Sequence, residues 1–219
     1  QHQPARHDGF QHRGFRRNLS CVRMSAQRGF TLIEVLITLV VVAIGLLTAA
    51  GMQIMSKRNI YDSQQRTAAA HMAQAILSRM SANVTQLPAY VTADATAVSA
   101  PATDCTQSAC TPAQLAAWDV WSWGQTLLGA AVTDMNNNQT GGLVSPTGCV
   151  QTGANGLYVI AIAWRGVTPM SATANTSDPT DPSNNTCGAS KAVYAGPGSG
   201  ITFRRIMVMQ TYIANPVLP

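Results

Sequence analysis

Few residues in this sequence are placed to do chemistry, and the first of them is an acid where none is expected. Glu34 stands inside "RGFTLIEVLITLVVVAIGLL" (Arg28–Leu47). From Phe30 to Met52 the chain is apolar or small apart from this carboxylate and Thr31, Thr38 and Thr48. That run is long enough to cross a bilayer. A carboxylate in such a segment costs a few kcal/mol on insertion, so it needs a partner or a purpose.

The other reactive side chains are the cysteines. Cys105, Cys110, Cys149 and Cys187 follow Gly29, and an even number in an exported domain implies disulfides, with three pairings open. A local Cys105–Cys110 loop with a Cys149–Cys187 staple between strand and connector is the favoured set. No CxxC and no histidine cluster accompanies them, which argues against zinc and redox chemistry. His71 is the one histidine after Gly29, no serine has a GxSxG context, and Asp62, Asp94, Asp104, Asp119, Asp134, Asp178 and Asp181 show no catalytic spacing. "SDPTDP", with Asp178 and Asp181, reads as a proline turn rather than a calcium site. The sequence therefore predicts no enzyme, no cofactor and no metal. Trp118, Trp121 and Trp123 read as buried anchors of a small helix rather than a sugar platform.

The elements that must position these residues begin with the charge pattern. The formal net charge of +5 is local: Arg6, Arg13, Arg16, Arg17, Arg23 and Arg28 precede the apolar run, opposed only by Asp8. Beyond Gly29 eight Lys and Arg balance eight Asp and Glu, so a nucleic-acid surface is not expected. Residues 1–29 read as a leader. Residue 1 is Gln, and the true start is expected at Met24, which opens "MSAQRG"; Cys21, His2, His7 and His12 carry no functional weight. Basic residues before a long apolar run indicate a membrane anchor over residues 30–52, with the following part exported. The anchor reading is preferred to a cleaved secretory signal, whose apolar core would be shorter.

No proline occurs between Phe30 and Leu87, and one helix is expected over Phe30–Val84, roughly 80 Å long at about 1.5 Å per residue. Its amphipathic part, residues 53–87, carries the stripe Ala69, Met72, Ala73, Ile76, Leu77, Met80 and Val84. Pro88 is expected to end it, opening a head over residues 88–219. "PAYVTADATAVSAPATDC" reads as a small, polar connector. Thr111, Pro112 and Gln114 predict a capped second helix, with Leu115, Trp118, Trp121, Gln125 and Leu128 along one face. "TDMNNNQTGG" reads as exposed turns. Strands are expected at Gly148–Thr152, Gly156–Gly166 and Gly200–Ile213, the last two joined by a long connection too polar for core.

"MSAQRG" followed by "FTLIEVLITLVVVAIGLLTAAGMQ" resembles the class III signal of type IV pilins and type II secretion pseudopilins. The resemblance implies an α+β pilin-like fold, a long N-terminal transmembrane and amphipathic helix packed on a small antiparallel sheet head. It further implies that a membrane prepilin peptidase cuts between Gly29 and Phe30 and methylates the Phe30 amine. Glu34, at the fifth position of the mature chain, would neutralise the amine of a neighbouring subunit and set filament register. The implied partners are other minor and major pilins, prepilin peptidase, the inner-membrane pilus assembly platform and membrane lipid. The implied location is the inner membrane, single-pass with an exported head, then the pilus at the cell surface. Within the family the anchor and the ending "RRIMVMQT" are most similar to minor pilins, which prime pilus assembly and so support twitching motility and adhesion. The alternatives are a minor pseudopilin of a type II secretion system and a ligand-binding subunit at the pilus tip. Where major pilins usually carry a proline, this chain has Gly51.

Overall fold

A computed structural model describes residues 29–130, 132–170, 181–196, 198 and 200–214. Leader residues 1–28, with Met24, and Asp178 lie outside the described residues. The chain divides into two compact units, Gln1–Ala49 and Ala50–Pro219. Helix α1, Leu32–Ala82, contributes to both.

In the first unit every described side chain of α1 is exposed. In the second, α1 buries Ala69, Ala73, Ile76 and Met80 completely, a 4-3-4 spacing that keeps one face on the core. Met72, Leu77 and Val84 pack at its margin. The helix stops before Pro88, and a buried asparagine replaces the expected breaker. Asn83 leaves helical geometry at φ −128°, ψ 51°, and its Nδ2 donates to the carbonyl of Pro112 at 2.8 Å. The chain then runs through a 3-10 stretch, Val84–Tyr90, that contains Pro88.

The segment expected to be a polar connector is part of the core. Tyr90 and Ala95 are buried in it, as is Leu87 just before it, and Thr92 bridges Val150 of the sheet in both directions, at 3.0 and 2.9 Å. Helix α2, Pro112–Leu128, starts with the capping box Thr111–Gln114. Its buried face is Ala116, Val120, Trp123, Gly124 and Leu127, offset from the expected one; Leu115 is exposed, and Trp118 and Trp121 are half-buried. Close approach decides the phase. A Cβ on Gly124 would lie 2.1 Å from the carbonyl oxygen of Ala95, so only the side carrying this glycine can seat on the connector. Trp123 does anchor the helix, its Nε1 donating to the Met72 carbonyl at 2.9 Å. Trp118 and Trp121 lean on each other instead, ring centroids 4.8 Å apart.

Strands β1 (Thr147–Thr152), β2 (Leu157–Arg165) and β3 (Arg204–Tyr212) form one antiparallel sheet in the order β1-β2-β3. Alternation gives each strand two faces. Val150, Tyr158, Ile160, Ile162, Trp164, Met207 and Met209 join the core with α1 and α2. On the other face, Cys149, Ala161 and Cys187 form a second cluster with Ile206 and Val208. β2 is covered on both sides, which explains its nearly unbroken apolar run.

What covers that second face belongs to the connection expected to be too polar for core. Tyr194 is fully buried there, its Oη donating to the Ser145 carbonyl at 2.8 Å and lying 2.9 Å from the Thr147 hydroxyl. Gly188, at φ +70°, lets this segment settle, since a Cβ would come within 2.7 Å of the Tyr194 ring. The disulfides join Cys149 to Cys187, with Cα atoms 5.9 Å apart, and Cys105 to Cys110, 5.5 Å apart.

Burial pushes the Tyr194 phenol up from about 10 to about 12, against the lowering effect of the Thr147 hydrogen bond. A raised phenol pKa means that the fold favours the neutral form. Its contribution is whole below pH 10, the unfolded value, and is lost as the pH rises toward 12. The thermal stability of the head should therefore fall steeply between pH 10 and 12, and Tyr194→Phe, though less stable at pH 7, should show a shallower decline there. Parallel slopes for the two proteins would remove Tyr194 from the pH response.

Candidate functional site

The start of α1 gathers the sequence features expected to matter for processing and assembly. Gly29 and Phe30 precede the helix in extended or irregular backbone, and Phe30 is 82% exposed. A Cβ on Gly29 would meet nothing within 4 Å. The junction Gly29–Phe30 is thus open, non-helical and followed at once by helix, the state in which a peptide bond is accessible to a protease.

Thr31 turns the chain into the helix. Its Oγ1 accepts from the Glu34 amide at 3.3 Å, and its carbonyl accepts from the amides of Glu34 and Val35 at 3.1 and 3.3 Å. Those first amides have no partner within a helix, so a threonine at this point satisfies one of them. Glu34 then falls in the first turn, where a negative charge is favoured by the helix dipole. Sequence reading missed Thr31 as a cap, although the signal was present: Thr-x-x-Glu before an apolar run is a capping-box spacing.

The Glu34 carboxylate has no hydrogen-bond or ionic partner among the described residues. Around it Leu32, Ile33, Val35, Leu36, Ile37 and Leu39 are all exposed. Its carboxylate is therefore a lone charge on a bare apolar cylinder. α1 is also long and apolar enough to cross a membrane.

The other candidate residues lie elsewhere. The two disulfides belong to the second unit, on the Asp104–Thr111 loop and on the second face of the sheet. Asp181 caps a short 3-10 turn, Pro182–Asn184, by accepting from the Ser183 amide at 2.8 Å. Asp104 and Asp134 close local turns, and the hydrogen bonds from Thr106 and Asn138 respectively hold their carboxyls below the usual range. Asp119 is buried in a structural network with Tyr90 and Arg79. Among the described residues no group of three His, Cys, Asp or Glu side chains could hold a metal.

Two family models match this chain. Residues 24–50 match the prokaryotic N-terminal methylation motif, and residues 51–121 match the model described as type IV pilin Tt1218. The matches meet at Gly51 and together run through α1 and the connector into α2, leaving the sheet outside both. No curated protein and no solved structure matches the chain. The methylation motif and the long apolar helix fit a membrane-anchored pilin.

The cap generates a direct test. Thr31→Ala removes the acceptor for the Glu34 amide, a loss of about 1 kcal/mol for a helix N-cap. Amide hydrogen exchange of the full chain in neutral detergent should accelerate about fivefold over Leu32–Val35 and remain unchanged beyond Val40. Unchanged exchange at Glu34 would show that the hydroxyl does not cap this helix.

Proposed function

We propose that this chain, type IV pilin-like by both family matches, is a minor pilin that takes part in priming type IV pilus assembly. A chain of this kind is a subunit for a pilus or pseudopilus. The pilus assignment draws on the resemblance of its anchor and its "RRIMVMQT" ending to the type IV pilus modification protein PilV. On this reading the chain is inserted in the inner membrane with its head exported, and later joins the pilus. Its partners are other minor and major pilins, prepilin peptidase and the assembly platform, and its output is support of twitching motility and adhesion. The role is structural rather than enzymatic.

The observation that carries the proposal is the unpartnered carboxylate of Glu34 on an uncovered apolar helix. Cleavage after Gly29 creates an amine on Phe30, a cation at the edge of the same apolar layer. Each charge alone is costly there, and pairing offsets much of that cost. Opposite charges on neighbouring subunits therefore both attract and set axial register. A subunit at the extreme tip has no earlier subunit to dock against, so the presence of Glu34 supports a position beneath another subunit.

Mass spectrometry of the membrane-extracted protein should give a mature N-terminus at methylated Phe30. An end at Gln53 or beyond would mean a secreted protein with a removed signal.

Glu34→Ala should still insert and be cleaved, because removing a charge eases insertion. It should join filaments poorly, with a loss of about 3–5 kcal/mol, that of a charge pair with one partner left uncompensated. The measurement is complementation of a null strain, scoring leader cleavage, surface pili and co-purification with other minor pilins. Normal piliation with normal co-purification would remove the docking role.

A further inference from the structure

One cleft in the second unit has the charge and the walls for an amphiphilic anion. It measures about 710 Å³ and lies where Lys57, Arg58 and Tyr61 of α1 face the loops at one end of the sheet, which bring Arg165, Val167 and Phe203. The loops converge because β1 begins, β2 ends and β3 begins at that same end. Three of the lining side chains are cations, and none is an acid.

Those cations are not spent on the protein. Lys57 and Arg58 are exposed and have no ionic or hydrogen-bond partner among the described residues. The Arg165 guanidinium rests 4.3 Å from the centroid of the Phe203 ring and donates through Nη1 to the Val193 carbonyl, leaving its other donors without an acceptor among the described residues. The acid nearest in sequence, Asp62, is engaged 3.8 Å from Arg205. Arg205 is itself buried, and its Nη1 lacks a partner. It lies directly behind the cleft lining, since a Cβ on Gly166 would come within 2.6 Å of its Cζ. Three cations thus line one open space, with the Arg205 guanidinium and its partner Asp62 behind the wall.

The walls are apolar, and partly exposed at Tyr61 and Val167. A free inorganic anion would gain nothing from them, whereas a lipid presents glycerol and acyl carbons beside its phosphate. Position along the chain selects the same occupant. Lys57 and Arg58 are the first charges after the apolar run that ends at Met52, close enough to a helix end for long cationic side chains to reach the phosphate headgroups.

We propose that this cleft holds the headgroup of an anionic phospholipid from the bilayer that the chain's own anchor enters, with Lys57, Arg58 and Arg165 on the phosphate. The bound lipid neutralises the cations while the subunit waits in the membrane and must leave when the cleft is withdrawn from the bilayer. The inference rests on the anchor reading, not on Glu34 or on the choice between pilus and pseudopilus.

The test uses the full chain in a neutral detergent micelle, titrated with short-chain phosphatidylglycerol, short-chain phosphatidylcholine or inorganic phosphate, with bound molecules counted by native mass spectrometry. Phosphatidylglycerol should bind at one site in preference to phosphatidylcholine, and inorganic phosphate should not displace it at millimolar concentration. Each cation near an anionic surface contributes about fivefold, so Lys57→Gln/Arg58→Gln/Arg165→Gln should weaken binding about a hundredfold. Arg66→Gln, an exposed cation outside the lining, should change it little. Val167→Asp keeps all three cations and should also weaken binding, which guards against misfolding of the triple variant. Equal affinity for the two lipids would overturn the proposal, as would displacement by phosphate, an equal loss in Arg66→Gln, or a shift in oligomeric state of the triple variant with lipid binding intact. The last result would make the cleft a contact for a second copy. Leader cleavage and the Glu34→Ala phenotype are independent of all these readings.

Discussion

The structure depends on a mismatch: α1 carries more apolar surface than the head can cover. Ala69, Ala73, Ile76 and Met80 are buried against the head, while large side chains from Leu32 to Ile60 remain exposed. Apolar surface left in water costs about 25 cal/mol per Å², so the uncovered length requires another apolar phase. Lipid supplies one, and the helices of neighbouring subunits supply another. An acid in that length is costly in either phase without a partner, and the Glu34 carboxylate has none among the described residues of this chain.

Within the head, one carboxylate ties three elements together. Asp119 of α2 accepts from the Tyr90 hydroxyl at 2.7 Å and lies 3.4 Å from Arg79 of α1. Asn83 donates to the Pro112 carbonyl from the turn between them. Burial, followed by the hydrogen bond to Asp119, drives the Tyr90 phenol well above its ordinary range, so the hydroxyl stays a donor at any physiological pH. Arg79 is more than a third exposed on its side chain, and its charge is correspondingly screened. The network's value is therefore geometric: it fixes where α1 stops and at what angle α2 starts.

Much of this was legible from periodicity. The α1 stripe, the capping box of α2 and the three strands each follow a local rule, and local rules can be read from one chain. What escaped was the structure imposed by close approach. The face of α2 turned on Gly124 and Ala95, residues far apart in sequence whose contact no helical spacing encodes. Pro88 was a conventional stop signal, but Asn83 ended the helix earlier because its amide had a distant carbonyl to satisfy. The connector looked polar because its buried members, Tyr90 and Ala95, are spread among threonines and alanines. Tyr194 was hidden in the same way, a single large residue in a stretch of Asn, Gly and Pro. At the candidate site, Gly29, Phe30 and Glu34 were legible from motif alone. Thr31 had a readable signal that was overlooked, and the cations of the cleft come from segments whose meeting depends on the sheet's register.

The second face of the sheet shows why the two disulfides are not equivalent. Among its described residues the segment over that face brings Tyr194 and Cys187 but little other buried apolar mass, so their packing alone offers weak reason for it to stay. Small residues on β2, Ala161 and Ala163, leave room for it, and room without cohesion invites detachment. The Cys149–Cys187 bond closes a separation of 38 residues, worth about 4 kcal/mol in the chain-entropy account. Cys105–Cys110 closes only 5 residues, worth about 2 kcal/mol on the same scale, and shapes an exposed loop beside the cap of α2. The larger staple also sits on the strand, β1, whose Val150 holds the connector through Thr92. Covering segment, sheet edge and connector therefore share one covalent point. A head with a compact core on one face and a thin polar covering on the other is held together by crosslinking the thin side.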